Sequence, residues 1–245
     1  MNGKKTEKDK EVGRLLLIPS VIAPDTAKEV LPRQVLLTLS RVDYFLAENL
    51  RTSRRFISSL KLGRPIDTLH FQQLDKRTSP QELKSLLGPL LQGHDMGVLS
   101  EAGCPGVADP GALAVAYAHQ HNIPVTPLVG PSSFLLALMA SGFSGQSFAF
   151  HGYLPINKEA RRKSIQQMEK IAQQQQQTQI FMETPYRNNS LLRDILESCR
   201  PATRLCIAKN VTGEDEFIRS CSIKDWKQQL PDLHKVPVVF LLSAQ

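Results

Sequence analysis

Short apolar runs alternate with helical segments along the first 140 residues, and this alternation restricts the chain to few folds. The runs at 15–18 and 96–100, for example, are each followed by a segment with helical spacing. Strands separated by helices of about ten residues are typical of a parallel sheet with helices on both faces. We therefore predict an N-terminal α/β domain with strands at 15–18, 43–47, 68–71, 96–100 and 123–129 and helices at 32–40, 51–60, 80–91 and 111–121, followed by a further helix at 133–141.

The pattern changes after Ser141, where a polar connector precedes a second α/β segment. Gln173–Gln177 is a low-complexity run that we interpret as a surface helix end or loop. The predicted organisation is a disordered tail at 1–13, an N-terminal domain at 14–130 and a C-terminal domain at 131–245. For the C-terminal domain we predict a mixed sheet, with strands at 148–150, 179–182, 205–209, 216–220 and 237–242 and helices at 158–171 and 189–199.

Composition excludes several classes of protein. Apolar residues make up 41% of the chain, enough for a sizeable core, and the formal charge of +7 permits a nucleic-acid partner without requiring one. No apolar run reaches the ~20 residues that span a bilayer, and the charged N-terminus lacks the apolar core of a signal peptide. The four cysteines show no C-x-x-C spacing. We expect a soluble, cytoplasmic protein with free thiols, no metal site and no membrane association.

Two loops follow predicted strands and carry the residues expected at a ligand site. Residues 100–111, SEAGCPGVADPG, contain three glycines and two prolines, and residues 129–133, VGPSS, follow the next strand. Glycine lets the backbone approach a ligand closely, and loops at the carboxyl ends of parallel strands line the ligand crevice. Ser132 or Ser133 could cap the following helix or bind a ligand. A tight turn between strand and helix would explain either loop alone.

Neither of the commonest nucleotide motifs is present. The chain has no G-x-G-x-x-G and no G-x-x-x-x-G-K, so dinucleotide and phosphate-loop chemistry are unsupported. A Rossmann-like methyltransferase would place an acidic residue at the end of the next strand, but 127–129 reads PLV.

Six segments in the same order resemble those of the tetrapyrrole methylase superfamily, and they are closest to the branch that methylates a cytidine ribose 2′-oxygen in small-subunit ribosomal RNA. The segment 100–111 is similar to S-D-A-G-x-P-x-I-S-D-P-G, and 130–133 to part of P-G-P-S-A. The other four are AENLRT at 47–52, FHGYLP at 150–155, METPYR at 182–187 and KNVT at 209–212.

The chain also departs from that branch at several polar positions. A glycine and an asparagine are missing from the loop after the first strand. Elsewhere Asn49 replaces an aspartate, Tyr186 a histidine and Asn210 a glutamate. Two alternatives stay open beside an RNA methyltransferase. One is a C-methyltransferase of tetrapyrrole or corrin precursors, against which the missing glycine and the RNA-branch segments argue. The other is a catalytically degenerate paralogue that binds the donor or RNA, which the substitutions at Asn49, Tyr186 and Asn210 favour.

The resemblance implies a two-domain tetrapyrrole methylase fold, usually homodimeric, with S-adenosylmethionine bound in a cleft between the domains and S-adenosylhomocysteine as product. Methyl transfer from a sulfonium depends mainly on positioning and requires no metal. The cofactor-binding residues implied are Gly103, Cys104, Pro105, Gly106, Val107, Ser132, Ser133, Met182, Val211 and Pro237.

A ribose hydroxyl is a poor nucleophile, so a general base or an oriented acceptor would assist its attack. Glu48, with Arg51 one turn later, is the catalytic candidate by position, although a structural ion pair would explain the same two residues. Glu183, four residues before Arg187, is a second candidate.

Two basic clusters could contact RNA phosphates or could be solvated helix faces. Few aromatic residues lie among them in the sequence, so stacking on bases is not indicated. The clusters are Arg51, Arg54, Arg55, Lys61 and Arg64, and Lys158, Arg161, Arg162 and Lys163.

Overall fold

The computed structural model describes residues 12–244, and these divide into two compact units, each built on a five-stranded sheet. The first unit holds the described residues through Val21 together with 25–131, and the second holds 22–24 and the residues from Ser132 onward. The predicted tail falls outside the described residues at 1–11. Gly13 is part of the first unit, where it is buried and its N–H donates to the carbonyl of Leu90 at 2.8 Å.

The sheet of the first unit is entirely parallel, as predicted. Its strands are β1 (Leu15–Ile18), β2 (Tyr44–Ala47), β3 (His70–Gln73), β4 (Met96–Leu99) and β5 (Val125–Pro127), in the spatial order β3-β2-β4-β1-β5. The helices are α1 (Ala27–Val30), α2 (Arg33–Leu39), α3 (Leu50–Ser59), α4 (Pro80–Leu86), α5 (Gly88–Leu91) and α6 (Gly111–Gln120).

Alternate residues of these strands face two separate hydrophobic cores, because successive side chains of a strand point to opposite faces. Leu15 and Met96 lie in one core, whereas Leu16 and Leu99 lie in the other. The prediction of helices packed on both faces is thereby confirmed.

The sheet of the second unit is mixed, also as predicted: β6 and β7 are parallel and the other pairs are antiparallel. Its strands are β6 (Phe148–Tyr153), β7 (Thr178–Met182), β8 (Arg204–Lys209), β9 (Phe217–Ser222) and β10 (Val238–Ser243), in the order β6-β7-β10-β8-β9. The helices are α7 (Ser133–Ser141), α8 (Lys158–Gln175), α9 (Asn188–Ser198) and α10 (Ile223–Trp226).

Several predicted elements are wrong in extent, among them the strand predicted at 148–150 and the helix predicted at 158–171, which run on to Tyr153 and Gln175. The helix predicted over 80–91 is split into α4 and α5, because Pro89 has no N–H with which to continue the hydrogen-bond ladder. The strand predicted at 68–71 starts only at His70, after a 3₁₀ turn at Ile66–Thr68. The strand predicted at 123–129 is confined to β5, since the N–H of Ile123 bonds back to Ala118 at the end of α6.

In the part of the chain that the structure describes, no helix is both long and apolar enough to cross a membrane.

Candidate functional site

The connections of the first unit create a crevice at the carboxyl ends of β1 and β4. From β1 the chain crosses to β2 on one side, whereas from β4 it crosses to β5 on the other. Adjacent parallel strands whose connections leave in opposite directions form a topological switch point, which is where ligands bind in open α/β sheets. The glycine-rich segment 100–111 emerges at this point.

Hydrogen bonds within the loop 100–111 fix its backbone. Ser100 is buried, and its hydroxyl donates to the carbonyls of Ala102 and Gly103 at 3.2 and 3.1 Å. At the other end of the loop, Asp109 Oδ1 accepts from the backbone N–H groups of Gly106 and Gly111, both at 2.8 Å. The loop is therefore held from both ends by its own polar side chains.

Two features of the loop suit ligand binding, namely open space at Gly106 and an unpartnered oxygen of Asp109. Gly106 has φ +85°, a conformation that other residues rarely adopt, and a Cβ built there would meet nothing within 4 Å. Asp109 Oδ2 is buried without a hydrogen-bond partner. Burial raises the pKa of Asp109, although the two backbone donors and the charge of Lys76 act in the opposite direction.

The loop after β5 lies against the loop after β4. The thiol of Cys104 lies 3.3 Å from the carbonyl oxygen of Pro131 and donates to it. Gly130 packs so closely on Pro19, at the end of β1, that a Cβ would fall 2.2 Å from the proline Cβ. Ser20 completes the contact, because its N–H donates to the carbonyl of Gly103 at 2.9 Å. Segments 103–107 and 130–131 thus meet, as the ligand hypothesis requires.

Three side chains in or next to these loops are exposed or make no capping hydrogen bond. Ser132 occupies the N-cap position of α7, but its side chain accepts no capping hydrogen bond, so capping does not account for it. Val107 and Val129 are exposed by 43% and 72%. Open backbone, exposed apolar side chains and an unpartnered carboxylate oxygen fit a ligand with both apolar and polar parts, as S-adenosylmethionine has.

Glu48 lies at the end of β2 and faces other acidic groups instead of Arg51. In the described part of the chain no ion pair joins Glu48 to Arg51, which is exposed on the first turn of α3. The pKa of Glu48 is raised, first by burial and then by the charge of Glu101, against a smaller lowering by Lys76. The structural ion pair considered from the sequence is absent, and a raised pKa suits a proton acceptor.

In the second unit, the three predicted cofactor residues lie at one end of the sheet. Met182 and Val211 pack in the same hydrophobic cluster. The carbonyl of Pro237 accepts from the N–H of Asn210 at 2.9 Å, and Met182 pairs with Val239 two residues beyond Pro237. The sheet therefore gathers these residues although they are far apart in the sequence.

Sequence reasoning missed two residues of the first unit's site. Ser20 is held to Gly103 and Ser100, and Asp109 closes the loop, but neither is among the residues predicted from the sequence to bind the donor. An aspartate between two glycines in a strand-to-helix loop was the signal available for Asp109, since short acidic side chains bond nearby backbone N–H groups.

Four of the nine residues in the two basic clusters are engaged within the protein. Arg161 and Arg162 bond to Asp194 on α9, and Arg64 pairs with Asp43. Arg54 lies 5.2 Å from the ring centre of Phe71. The residues left exposed without such partners in the described structure are Arg51, Arg55, Lys61, Lys158 and Lys163.

The model of one protein family, described as Tetrapyrrole (Corrin/Porphyrin) Methylases, matches residues 27–226 of this chain. The chain belongs to this family. The tetrapyrrole methylase fold predicted from the sequence is therefore confirmed, together with its two α/β sheets.

Curated relatives align with most of the chain at 28–32% identity. "Ribosomal RNA small subunit methyltransferase I" of Thermotoga maritima is 32% identical over 188 residues, covering 76% of this chain and 78% of that protein. The protein of the same name from Vibrio cholerae is 28% identical over 193 residues. That alignment covers 79% of this chain and 64% of the Vibrio protein, so the chain spans less than two thirds of the Vibrio relative's length.

Among solved structures, the uroporphyrin-III-C-methyltransferase of Thermus thermophilus is similar, with a TM-score of 0.54 and 16% identity over 95% of this chain and 94% of that one. At this identity the likeness concerns the fold.

Two departures from the branch pattern are conservative in the structure of this methylase. Asn49 caps α3 by accepting from the N–H groups of Arg51 and Thr52 at 3.1 and 3.2 Å, which an aspartate would do equally well. Asn210 has φ +49°, a left-handed conformation that asparagine tolerates better than glutamate. These substitutions therefore preserve the local structure.

Proposed function

We propose that this chain is an S-adenosylmethionine-dependent methyltransferase that methylates a ribose 2′-oxygen of small-subunit ribosomal RNA. Membership of a methylase family supports methyl transfer, and the names of the curated relatives support ribosomal RNA as the acceptor.

The observation that carries the proposal is the meeting of the loops after β4 and β5 at a topological switch point. Their contact through Cys104 and Pro131, with the open backbone at Gly106, suits close approach by the donor's amino-acid end. We assign that role to residues 103–107, with Ser132 and Ser133 adding hydroxyl groups from the start of α7. Met182, Val211 and Pro237 are the apolar candidates for contact with the adenosine.

When bound, S-adenosylmethionine supplies a sulfonium-activated methyl group that transfers directly to a nucleophile. The chain's residues then have to hold the two reacting atoms in line, roughly 3–3.5 Å apart, and exclude water. Hydrogen bonds within the loop 100–111 fix its backbone before the donor binds. The loop suits this task because its geometry does not need to form during binding.

Glu48 is our candidate acceptor for the proton of the ribose hydroxyl. Its pKa is raised by burial and by Glu101, so it approaches the working pH more closely than an ordinary glutamate does. Arg51, exposed in the first turn of α3, would then bind an adjacent phosphate and act beside Glu48 without pairing with it.

A homodimer and a cytoplasmic location complete the proposal, the first from the resemblance and the second because its proposed substrate is ribosomal RNA. Light scattering of the purified protein tests the dimer.

Mass spectrometry of ribosomal RNA from cells with and without this protein tests the substrate. We expect one ribose methylation of the small-subunit RNA to disappear without the protein and to return with the wild-type gene but not with Glu48→Gln.

If no RNA methylation changes, ribosomal RNA is not the substrate. Transfer of labelled methyl to a tetrapyrrole precursor would then identify the C-methyltransferase alternative. Donor binding without transfer to either acceptor would identify a degenerate paralogue.

A further inference from the structure

An exposed aromatic ring stands at the same end of the second sheet as Met182 and Val211. Tyr186, in the turn between β7 and α9, is 72% exposed. Two basic residues from just before β10 lie beside it. The ammonium of Lys235 is 5.9 Å from the ring centre, and the ring of His234 stands edge-on at 6.4 Å.

The turn that carries Tyr186 is rigidly anchored. Glu183 is fully buried at its side chain, and its Oε1 accepts from the N–H of Thr184 at 2.7 Å and from Arg187 Nη2 at 2.6 Å. The N–H of Arg187 also donates to the carbonyl of Thr184 at 2.9 Å. Hydrogen bonds therefore fix the backbone before and after Tyr186, and the exposed ring of Tyr186 projects from this fixed turn into solvent.

The segment that carries His234 and Lys235 is fixed to the same turn. The N–H of Lys235 donates to the carbonyl of Pro185 at 3.1 Å. Asn189 binds both Asp232 and the N–H of Leu233, at 2.9 and 3.0 Å. Two segments almost fifty residues apart in the sequence therefore form one rigid surface.

One cation lies close to the ring. The ammonium of Lys235 is over the ring, whereas the guanidinium of Arg187, 34% exposed at its side chain, is paired with the buried Glu183. The nearby Asp232 keeps its negative charge and is held by hydrogen bonds from Asn189 and from the N–H of His234 to its Oδ1. An aromatic face beside a cation is the arrangement by which proteins bind an unpaired base and its phosphate.

We propose that Tyr186, His234 and Lys235 form a platform on which one unpaired base of the RNA substrate stacks, with Lys235 next to its phosphate. This inference rests on the proposed function, because it assigns part of the RNA contact. It also extends what the sequence indicates, since the aromatic and basic residues of the platform become neighbours only through the pairing of β7 with β10.

Kinetics of methyl transfer to small-subunit ribosomal RNA, together with binding of a fluorescein-labelled single-stranded oligoadenosine, test the platform. Because stacking on one aromatic side chain contributes roughly tenfold or more to affinity, Tyr186→Ala should raise the KM for RNA and the Kd for the oligonucleotide by about tenfold. Tyr186→Phe keeps the ring and should stay within about twofold of wild type. Lys235→Gln should make the slope of log Kd against log salt concentration shallower by about one, because about one counterion fewer is released on oligonucleotide binding. We expect kcat and the Kd for S-adenosylmethionine to change in none of these variants.

Two matched controls lie at the opposite end of the same sheet. Phe148→Ala removes a partly exposed aromatic at the start of β6, and Lys227→Gln removes an exposed lysine just after α10. Both should bind the oligonucleotide as the wild type does.

An unchanged KM and oligonucleotide Kd in folded Tyr186→Ala would overturn the platform. Conversion of a dimer to a monomer by Tyr186→Ala, seen by light scattering, would also overturn it and assign the surface to a second copy of the chain. If the wild type binds the oligonucleotide through Tyr186 but methylates no RNA, the proposed function fails while the platform stands.

Discussion

At the scale of single residues, Arg161 was a candidate for RNA contact from the sequence, but in the structure it stabilises the protein from inside. Arg161 belongs to a basic cluster in the sequence, yet only 7% of its side chain is exposed, and its Nε donates to Asp194 at 2.8 Å. Its Nη1 also donates to the carbonyl of Ile156 at 2.8 Å. Arg161 therefore fixes the loop between β6 and α8 to α9. Sequence alone could not show this, because Asp194 is 33 residues away.

Removing Arg161 should destabilise the protein strongly. Arg161→Ala leaves the Asp194 carboxylate buried with only Arg162 as a charged partner, and loss of one member of a buried pair costs about 3–5 kcal/mol. Urea unfolding measures this change. Lys163→Ala, an exposed neighbour on α8, should cost less than about 0.5 kcal/mol and serves as the control. Equal stability of the two variants would show that the pair contributes nothing.

Acid should remove the stabilisation that Asp194 provides. Burial raises the pKa of Asp194, but the hydrogen bonds and charges of Arg161 and Arg162 outweigh it and hold the pKa below its ordinary value. A carboxyl with a lowered folded pKa stabilises fully above its unfolded pKa of about 3.9 and loses that contribution as the pH falls through the folded value. The stability difference between wild type and Asp194→Asn should therefore be large at neutral pH and shrink in strong acid. A difference that does not vary with pH would contradict this.

At the scale of elements, the loops after β4 and β5 were predictable in composition but not in their packing. Glycine and proline at the carboxyl ends of two strands indicated a ligand site, and the structure has these loops in contact. The strand order places β1 between β4 and β5, which no local pattern reveals. For that reason the contact of Gly130 with Pro19, at the end of β1, could not be foreseen.

Gly130→Ala should separate the two loops. The new Cβ would overlap the rigid ring of Pro19, so the backbone of segment 129–131 has to shift away from Pro19 and thereby from Cys104. Overpacking of this kind costs about 1–3 kcal/mol. We expect a clear loss of S-adenosylmethionine affinity in calorimetry of the still-folded protein. The control is Gly145→Ala, where a Cβ meets nothing within 4 Å. If Gly130→Ala and Gly145→Ala bind the donor equally, the loop contact does not shape the site.

At the scale of the whole molecule, the sequence predicted both sheets and most of their strands. The alternation of strands and helices in the first half identified a parallel sheet, because buried parallel strands read as continuous apolar runs such as Leu15–Ile18. The predicted bounds were wrong where a proline interrupts a helical pattern, as at Pro89. They were also wrong where a strand is shorter than its apolar run, as in β5. The stacking platform at Tyr186 could not be predicted, since it depends on pairing between β7 and the distant β10.

The central claim is that the loops at the carboxyl ends of β4 and β5 take part in binding a sulfonium nucleoside, and calorimetric titration of the purified protein with S-adenosylmethionine tests it most directly. We predict saturable binding by the wild type, competition by S-adenosylhomocysteine, and weaker binding when Gly130 is replaced by alanine. A correctly folded wild-type protein that gives no binding heat at any temperature tried, and that is not stabilised against thermal unfolding by the donor, would contradict the account.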